Sequence, residues 1–315
     1  MVEGMTATPA SGGTPPAAAR EFQIPTEIFP VIAVMASTAM MIVPIPATVL
    51  DFLLVMSLTL SISMLITAIY TRNPLEFSVF PTLLLMATLM RLSLNVASTR
   101  LILLNGYAGA LIEAFGQFVV GANYVVGFVM FAILAVIQFV VITHGSQRVA
   151  EVAARFTLDS LPGKQMAIDS DLAAGLLTEE QARQRRLDLQ RQTDFYGSMD
   201  GSSKFVRGDA IAAVVILIVN IVGGLIVGVL QHGLDIADAA QRYTLLTVGE
   251  GLAAQFPALL VSTAAGLMVT RSASPTALGE EMASQMAVNP VALRIIAGTL
   301  IVFAFVPGVP KLPLG

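Results

Sequence analysis

Residues 210–230 read AIAAVVILIVNIVGGLIVGVL, an uncharged stretch whose one polar amide is Asn220. About 20 mostly apolar residues suffice for a helix to cross the hydrocarbon core of a bilayer. A run of this length has no place on the surface of a water-soluble domain. The rest of the chain has the same character: its 315 residues are 56% hydrophobic and 12% charged, with a mean hydropathy of +0.80. Lipid must therefore be part of its solvent. Working outward, six further stretches approach spanning length. They cover about 28–43 (stopping at Pro44-Ile-Pro46), 47–70, a stretch starting near Phe77, 124–143, 245–270 and 291–306. Residues 106–120 are semi-apolar, carry Glu113 and read as an interfacial or re-entrant helix. The predicted fold is all-α: a polytopic transmembrane helical bundle of about seven spans with a small folded cytoplasmic loop.

Charge sets the expected orientation. Of 17 Lys and Arg residues, nine lie between His144 and Asp209. Cytoplasmic loops of membrane proteins carry an excess of these cations, so residues 144–209 are expected inside. Four spans precede them, which puts the N-terminus inside as well. Arg72 in the turn after the second span, and Arg271 and Arg294 flanking the loop after the sixth, agree. The expected organisation is a flexible cytoplasmic tail (1–26), a first transmembrane half (27–143), the cytoplasmic loop (144–209) and a second transmembrane half (210–315). The tail is rich in Pro, Gly, Ala and Thr, and the first apolar run after it reads as a retained signal anchor.

Inside the loop, residues 147–158 read as a helix, with Arg148–Glu151 and Glu151–Arg155 at pairing distance along one face. Leu161-Pro-Gly163 is expected to break it. Thr178-Glu-Glu-Gln181 is a capping box that opens a second helix, expected to run to about Tyr196. The pair reads equally as solvated amphipathic helices or as a docking surface.

Charges within spans are costly, about 2.5–3.5 kcal/mol each on insertion scales, so those present need a reason. The candidates are Asp51, Arg91, Arg100, Asp209 and Glu250. Arg91 opens a polar stripe through Ser93, Asn95, Ser98, Thr99 and Arg100 in a helix that should be greasy. Ser93, Asn95 and Thr99 could bond across helices, or the stripe could be ordinary interhelical glue. Asp209 heads the span 210–230 after Lys204 and Arg207; it reads either as a charge favouring the helix dipole or as a carboxylate at the mouth of a pathway. Asp51 is placed similarly at the start of its span. Glu250 sits between Gly249 and Gly251, which permits a close backbone approach or a broken helix. Gly224 and Gly228 form a GxxxG spacing, a weak sign of close packing.

Several function classes drop out. There is no cysteine, and therefore no disulfide or thiolate metal site. His144 and His232 are not in a metal-ligand spacing. No nucleotide-binding loop, HExxH or GxSxG pattern occurs, and no long basic run suggests nucleic acid. No cofactor or enzymatic activity is expected, and the membrane potential or a proton gradient is the natural energy source.

Four blocks carry a resemblance: PLEFSVFPTLLLMATLMRLSLNVASTRLILL (74–104), VVITHGSQRVAEVAARFTLDSLPGKQMAIDSDLAAGLL (140–177), FYGSMDGSSKFVRGDAIAA (195–213) and YTLLTVGEGLAAQFPALLVSTAAGLMVTR (243–271). In this order they resemble the signature of the FHIPEP family of type III export-apparatus proteins. The block around MDGSSKFVRGD looks more like the flagellar branch than the injectisome branch. The resemblance implies a subunit of the flagellar export gate in the bacterial inner membrane, forming a homo-nonameric ring with other gate and pore proteins. It also implies coupling of proton motive force to export of unfolded flagellar proteins. Family residues tied to function carry over to Arg91 in RLSLN, Arg148 and Arg155 in RVAEVAAR, and Asp159 in FTLD. They carry over likewise to Asp200 and Lys204 in MDGSSK, to Asp209 in VRGDA and to the acid at Glu250. That last position is usually Asp in the family, so the carboxylate is kept on a longer arm. The family also has an eighth span and a large cytosolic domain that docks chaperones, substrates and the export ATPase complex. The chain ends at VPGVPKLPLG, about where the eighth span should begin, and is expected to be a truncated chain.

On this reading Asp209 takes up and releases protons, its charge balanced by Lys204 and Arg207, while Arg91, Glu250 and Asp51 shape the path. Two other classes compete. A small-solute transporter predicts inverted repeats, and no repeat relates the spans on either side of the loop. A structural scaffold ring predicts that neutralising the charges harms assembly rather than conduction.

Overall fold

The computed structural model describes residues 28–121, 123–271 and 278–287, with five further positions between 291 and 299. Every element among them is helical: α1 (Ile28–Ile42), α2 (Ala47–Tyr70), a 3-10 turn (Pro74–Phe77), α3 (Phe80–Asn105), α4 (Ala110–Val120), α5 (Tyr124–Val136), a π-turn (Ile137–Thr143), α6 (His144–Ala173), α7 (Glu179–Leu230), α8 (Ile236–Thr270) and α9 (Leu278–Ala287). Among the described residues five helices are long and apolar enough to cross a membrane: α2, α3, the long helix Tyr124–Ala173, α7 and α8. The all-α helical bundle is as the sequence predicts. The expected tail 1–26 and most of the expected span 291–306 lie outside the described residues.

Two expectations for the loop are corrected. Leu161-Pro-Gly163 does not break the first loop helix, because α6 runs through Pro162 to Ala173. The Leu158 carbonyl, left without a donor by Pro162, belongs to an exposed residue, so water can donate to it instead. Nor does the second helix end near Tyr196. From the capping box at Thr178 and Gln181, both halves of which form, α7 continues without interruption for 52 residues. At 1.5 Å per residue that is about 78 Å, far beyond the roughly 30 Å a span requires. Loop and span are therefore one rod, and α6 and the first half of α7 form an antiparallel hairpin. Its tip is closed by Ile168, Ala182 and Leu189.

Among the described residues the bundle has an apolar core towards each pole and a smaller third cluster of Val120, Phe131, Val248 and Leu252. The first joins Met64 and Ala68 of α2, Phe80 and Leu84 of α3, Ala150 and Ala154 of α6, Phe195, Tyr196 and Met199 of α7, and Val261 to Val269 of α8. The base of the hairpin is thus seated on the same ends of α2, α3 and α8. The second core joins Leu50, Leu94, Ile102, Ile112, Ala239 and Tyr243. Three arginines tie helix ends by donating to the last carbonyls of a neighbour, where the helix dipole favours a cation. Arg100 bonds the Met41 and Ile42 oxygens at 3.1 and 2.9 Å. Arg242 bonds Gly106 O at 3.1 Å, and Arg271 bonds Ile69 O at 3.0 Å and Arg72 O at 3.3 Å.

The segment 106–120 forms an 11-residue helix, too short to span. It lies across α8, where a side chain at Gly249 would strike the Ile112 carbonyl and one at Gly116 would strike the Leu245 carbonyl. Its first turn is anchored by Asp51, whose carboxylate accepts from Ala110 N at 2.9 Å and Leu111 N at 3.2 Å.

Candidate functional site

Two rungs of polar side chains connect α3, α7 and α8 in the middle of the bundle. On α3, Arg91, Asn95 and Ser98 fall at i, i+4 and i+7 and so share one face. On α7, Asp209 and Asn220 are eleven residues apart, about three helical turns, and share a face for the same reason. The first rung is an ion pair between Arg91 Nη2 and Asp209 Oδ2, whose side chains are 3% and 7% exposed. In the second, Glu250 of α8, 5% exposed, accepts from Ser98 Oγ at 2.8 Å and from Asn220 Nδ2 at 2.6 Å. Glu250 therefore meets neutral donors, whereas Asp209 meets a cation.

The flanking glycines of Glu250 act through close approach; the helix is not broken, since α8 runs continuously from Ile236 to Thr270. Gly249 admits the backbone of α4 and Gly251 admits the ring of Phe131. α4 and Phe131 thereby pack closely on either side of Glu250. Gly224 and Gly228 pack on Tyr243, so the GxxxG spacing serves the contact between α7 and α8.

Both rungs open on one crevice lined by Arg91, Asn95, Gln138, Thr143, Asp209 and Glu250 among otherwise mostly apolar walls. It offers ≈ 60 Å³ to water-sized molecules, room for a few waters at about 10–15 Å³ each. Arg91 Nε and Nη1, Asp209 Oδ1 and Asn220 Oδ1 are buried without a partner in the chain. Burying polar groups in this way is costly; the Arg91 and Asp209 atoms belong to residues that line the crevice, and Asn220 to the second rung.

The other candidate residues lie elsewhere. Asp51 caps α4 and does not line the crevice. Arg148 pairs with Glu151 at 3.3 Å as expected, but Arg155 pairs with Asp159 at 3.8 Å and not with Glu151. These pairs are exposed and each is worth about 0–1 kcal/mol. The expected neutralisation of Asp209 by Lys204 and Arg207 is also corrected. Lys204 bonds Asp200 at 2.9 Å, which holds its ammonium above the ordinary pKa. Arg207 is exposed, two positions from Asp209 and so on the far side of the helix. Sequence reasoning missed the partners themselves. The equal-face spacings 91–98 and 209–220 are the signal that could have found them.

Comparison with known proteins agrees with the resemblance. Residues 38–315 match the FHIPEP family. The chain is 53% identical over 286 residues to the flagellar biosynthesis protein FlhA of Escherichia coli (strain K12), an alignment covering 89% of this chain and 41% of that protein. Identity and coverage are the same for the flagellar biosynthesis protein FlhA of Salmonella typhimurium. The putative flagellar export/assembly protein LfhA of Escherichia coli O44:H18 is 50% identical over 287 residues, 90% of this chain and 41% of that protein. The chain thus spans about two fifths of the length of these relatives. No solved structure matches it.

Proposed function

The chain belongs to the FHIPEP family, and on that premise we propose that it is a membrane subunit of the flagellar protein-export gate, coupling proton motive force to export. The observation that carries the proton reading is the crevice in which the Arg91–Asp209 pair and Glu250 meet. Two carboxyl groups differing in their partners, one cationic and one neutral, sit on α7 and α8, each with a partner on α3. Asp209 lies where the projecting half of α7 becomes its apolar half. A proton gained at Asp209 removes its attraction for Arg91, frees α7 to shift against α3, and moves the hairpin carried on the same rod. That is a two-state element biased by charge. Glu250 is the second proton-carrying group, and Asp51 contributes by holding α4 against α8.

In this reading the N-terminus and residues 144–209 lie in the cytoplasm and the helices cross the bacterial inner membrane. Copies assemble as a ring, nine in the family pattern, beside the other gate and pore proteins. Export substrates, chaperones and the ATPase complex engage the portion that the longer relatives carry beyond this stretch. The experiment is secretion of flagellar proteins into the medium by cells carrying Asp209→Asn or Glu250→Gln in the complete protein, at matched membrane levels. Both are expected to lose most secretion; native secretion by Asp209→Asn removes the assignment. A scaffold reading has one observation in its favour, because the Arg91–Asp209 pair also ties α3 to α7. It predicts that the same variants lose ring assembly first.

A further inference from the structure

The long helix Tyr124–Ala173 is interrupted by a π-turn at Ile137–Thr143. Such turns bond residue i to i+5, are rare, and are frequent at functional sites. The consequence here is geometric. An α-helix rotates about 100° per residue, so residues five apart would point roughly 140° away from one another; in a π-turn they stack. Gln138 and Thr143 are five apart, 8% and 2% exposed, and both line the crevice. A second pair five apart holds the same register. His144 Nδ1 lies 2.9 Å from the Phe139 carbonyl oxygen, and the two rings meet edge to face with centroids 5.0 Å apart.

Between the rungs α3 supplies one polar side chain, Asn95, and Gln138 and Thr143 add two more to the crevice. Arg91 and Ser98 are seven residues apart on α3, roughly 10 Å along its axis, whereas a proton passes directly only across a hydrogen bond of about 2.5–3.0 Å. The wall that α7 presents between the rungs is apolar, through Ala210, Ala213, Ile216 and Leu217. We propose that Gln138 and Thr143 are positioning residues of the proton path, delivered to the crevice by the π-turn to hold a file of waters between Asp209 and Glu250. The Phe139–His144 contact is the latch on that register. This inference rests on the proton-path reading of the crevice.

The test uses the complete protein in cells with a cytoplasmic pH reporter and an external acid step. Gln138→Met with Thr143→Val keeps side-chain size and removes both polar groups; Thr143→Ser keeps the hydroxyl. The acidification rate, normalised to membrane level, is expected to fall about tenfold in the double variant, towards that of Asp209→Asn. Ring assembly on native gels is expected to stay intact, and Thr143→Ser to remain near native. An unchanged rate in the double variant, with the rate lost in Asp209→Asn, overturns the inference and leaves the proton path standing. Loss of rate together with ring assembly also overturns it, since the residues are then structural. Equal rates in the native protein and Asp209→Asn overturn the proton path itself.

Discussion

Arg91 and Asp209 are 118 residues apart in sequence and form an ion pair buried between α3 and α7. Removing one partner of a buried pair leaves an uncompensated charge, which costs about 3–5 kcal/mol, whereas replacing both by apolar groups is often neutral. Arg91→Ala and Asp209→Ala are therefore each expected to lower the thermal stability of the detergent-solubilised protein markedly. Arg91→Met with Asp209→Leu is expected to regain most of it while motility in soft agar stays lost. A double variant as unstable as either single one would mean that the pair's partners lie elsewhere.

Ser98 and Asn220 act on the same carboxyl, so their effects are expected to depend on it. Ser98→Ala leaves part of a buried carboxylate unpaired, a loss of about 1–3 kcal/mol. In a Glu250→Leu background the same change removes a hydroxyl that has lost its cross-helix acceptor, and should cost at least 1 kcal/mol less. A double-mutant cycle on thermal unfolding reads the difference. Strict additivity would detach Ser98 from Glu250.

Gly249→Ala drives a methyl group into the Ile112 carbonyl, which is backbone and cannot step aside. Overpacking of this kind costs about 1–3 kcal/mol or more. Gly266→Ala on the same helix meets nothing within 4 Å and should stabilise by about 0.5–1 kcal/mol, the helical preference for alanine. Folded yield and unfolding temperature compare the two. Equal behaviour would contradict the close approach of α4 to α8.

Thr178→Ala removes the side chain that caps α7 and receives Gln181 N at 3.2 Å. The expected cost is about 1 kcal/mol, confined to the hairpin tip because the spans are held by separate cores. Hydrogen exchange should quicken in the first turns of α7 and stay unchanged in α8. Quickening throughout α8 would show that hairpin and bundle unfold together.

Much of this architecture was legible because apolar length is a local signal. Residues 47–70 and 210–230 read as spans and are helical, and the capping box at Thr178 placed the start of α7 correctly. Illegible was what depends on partners distant in sequence. Lys204 and Arg207 are the cations nearest Asp209 along the chain, yet the helix turns them away and Arg91 arrives from α3. Pro162 reads as a stop signal, yet α6 runs through it: the hydrogen bond it removes is at an exposed site that water can reach, and the cost of fitting its ring is met within the helix. The π-turn has no signature in composition, so the inward face of Gln138 emerged only from the fold.

On the proposed mechanism a proton path runs through Asp209. Its most direct measurement is cytoplasmic pH, followed with a fluorescent reporter after an external acid step, in cells carrying the complete protein or its Asp209→Asn variant at equal membrane levels. Faster acidification is expected with the native protein than with the variant. Equal acidification, with secretion lost in the variant, would contradict it and leave Asp209 as an assembly contact with Arg91.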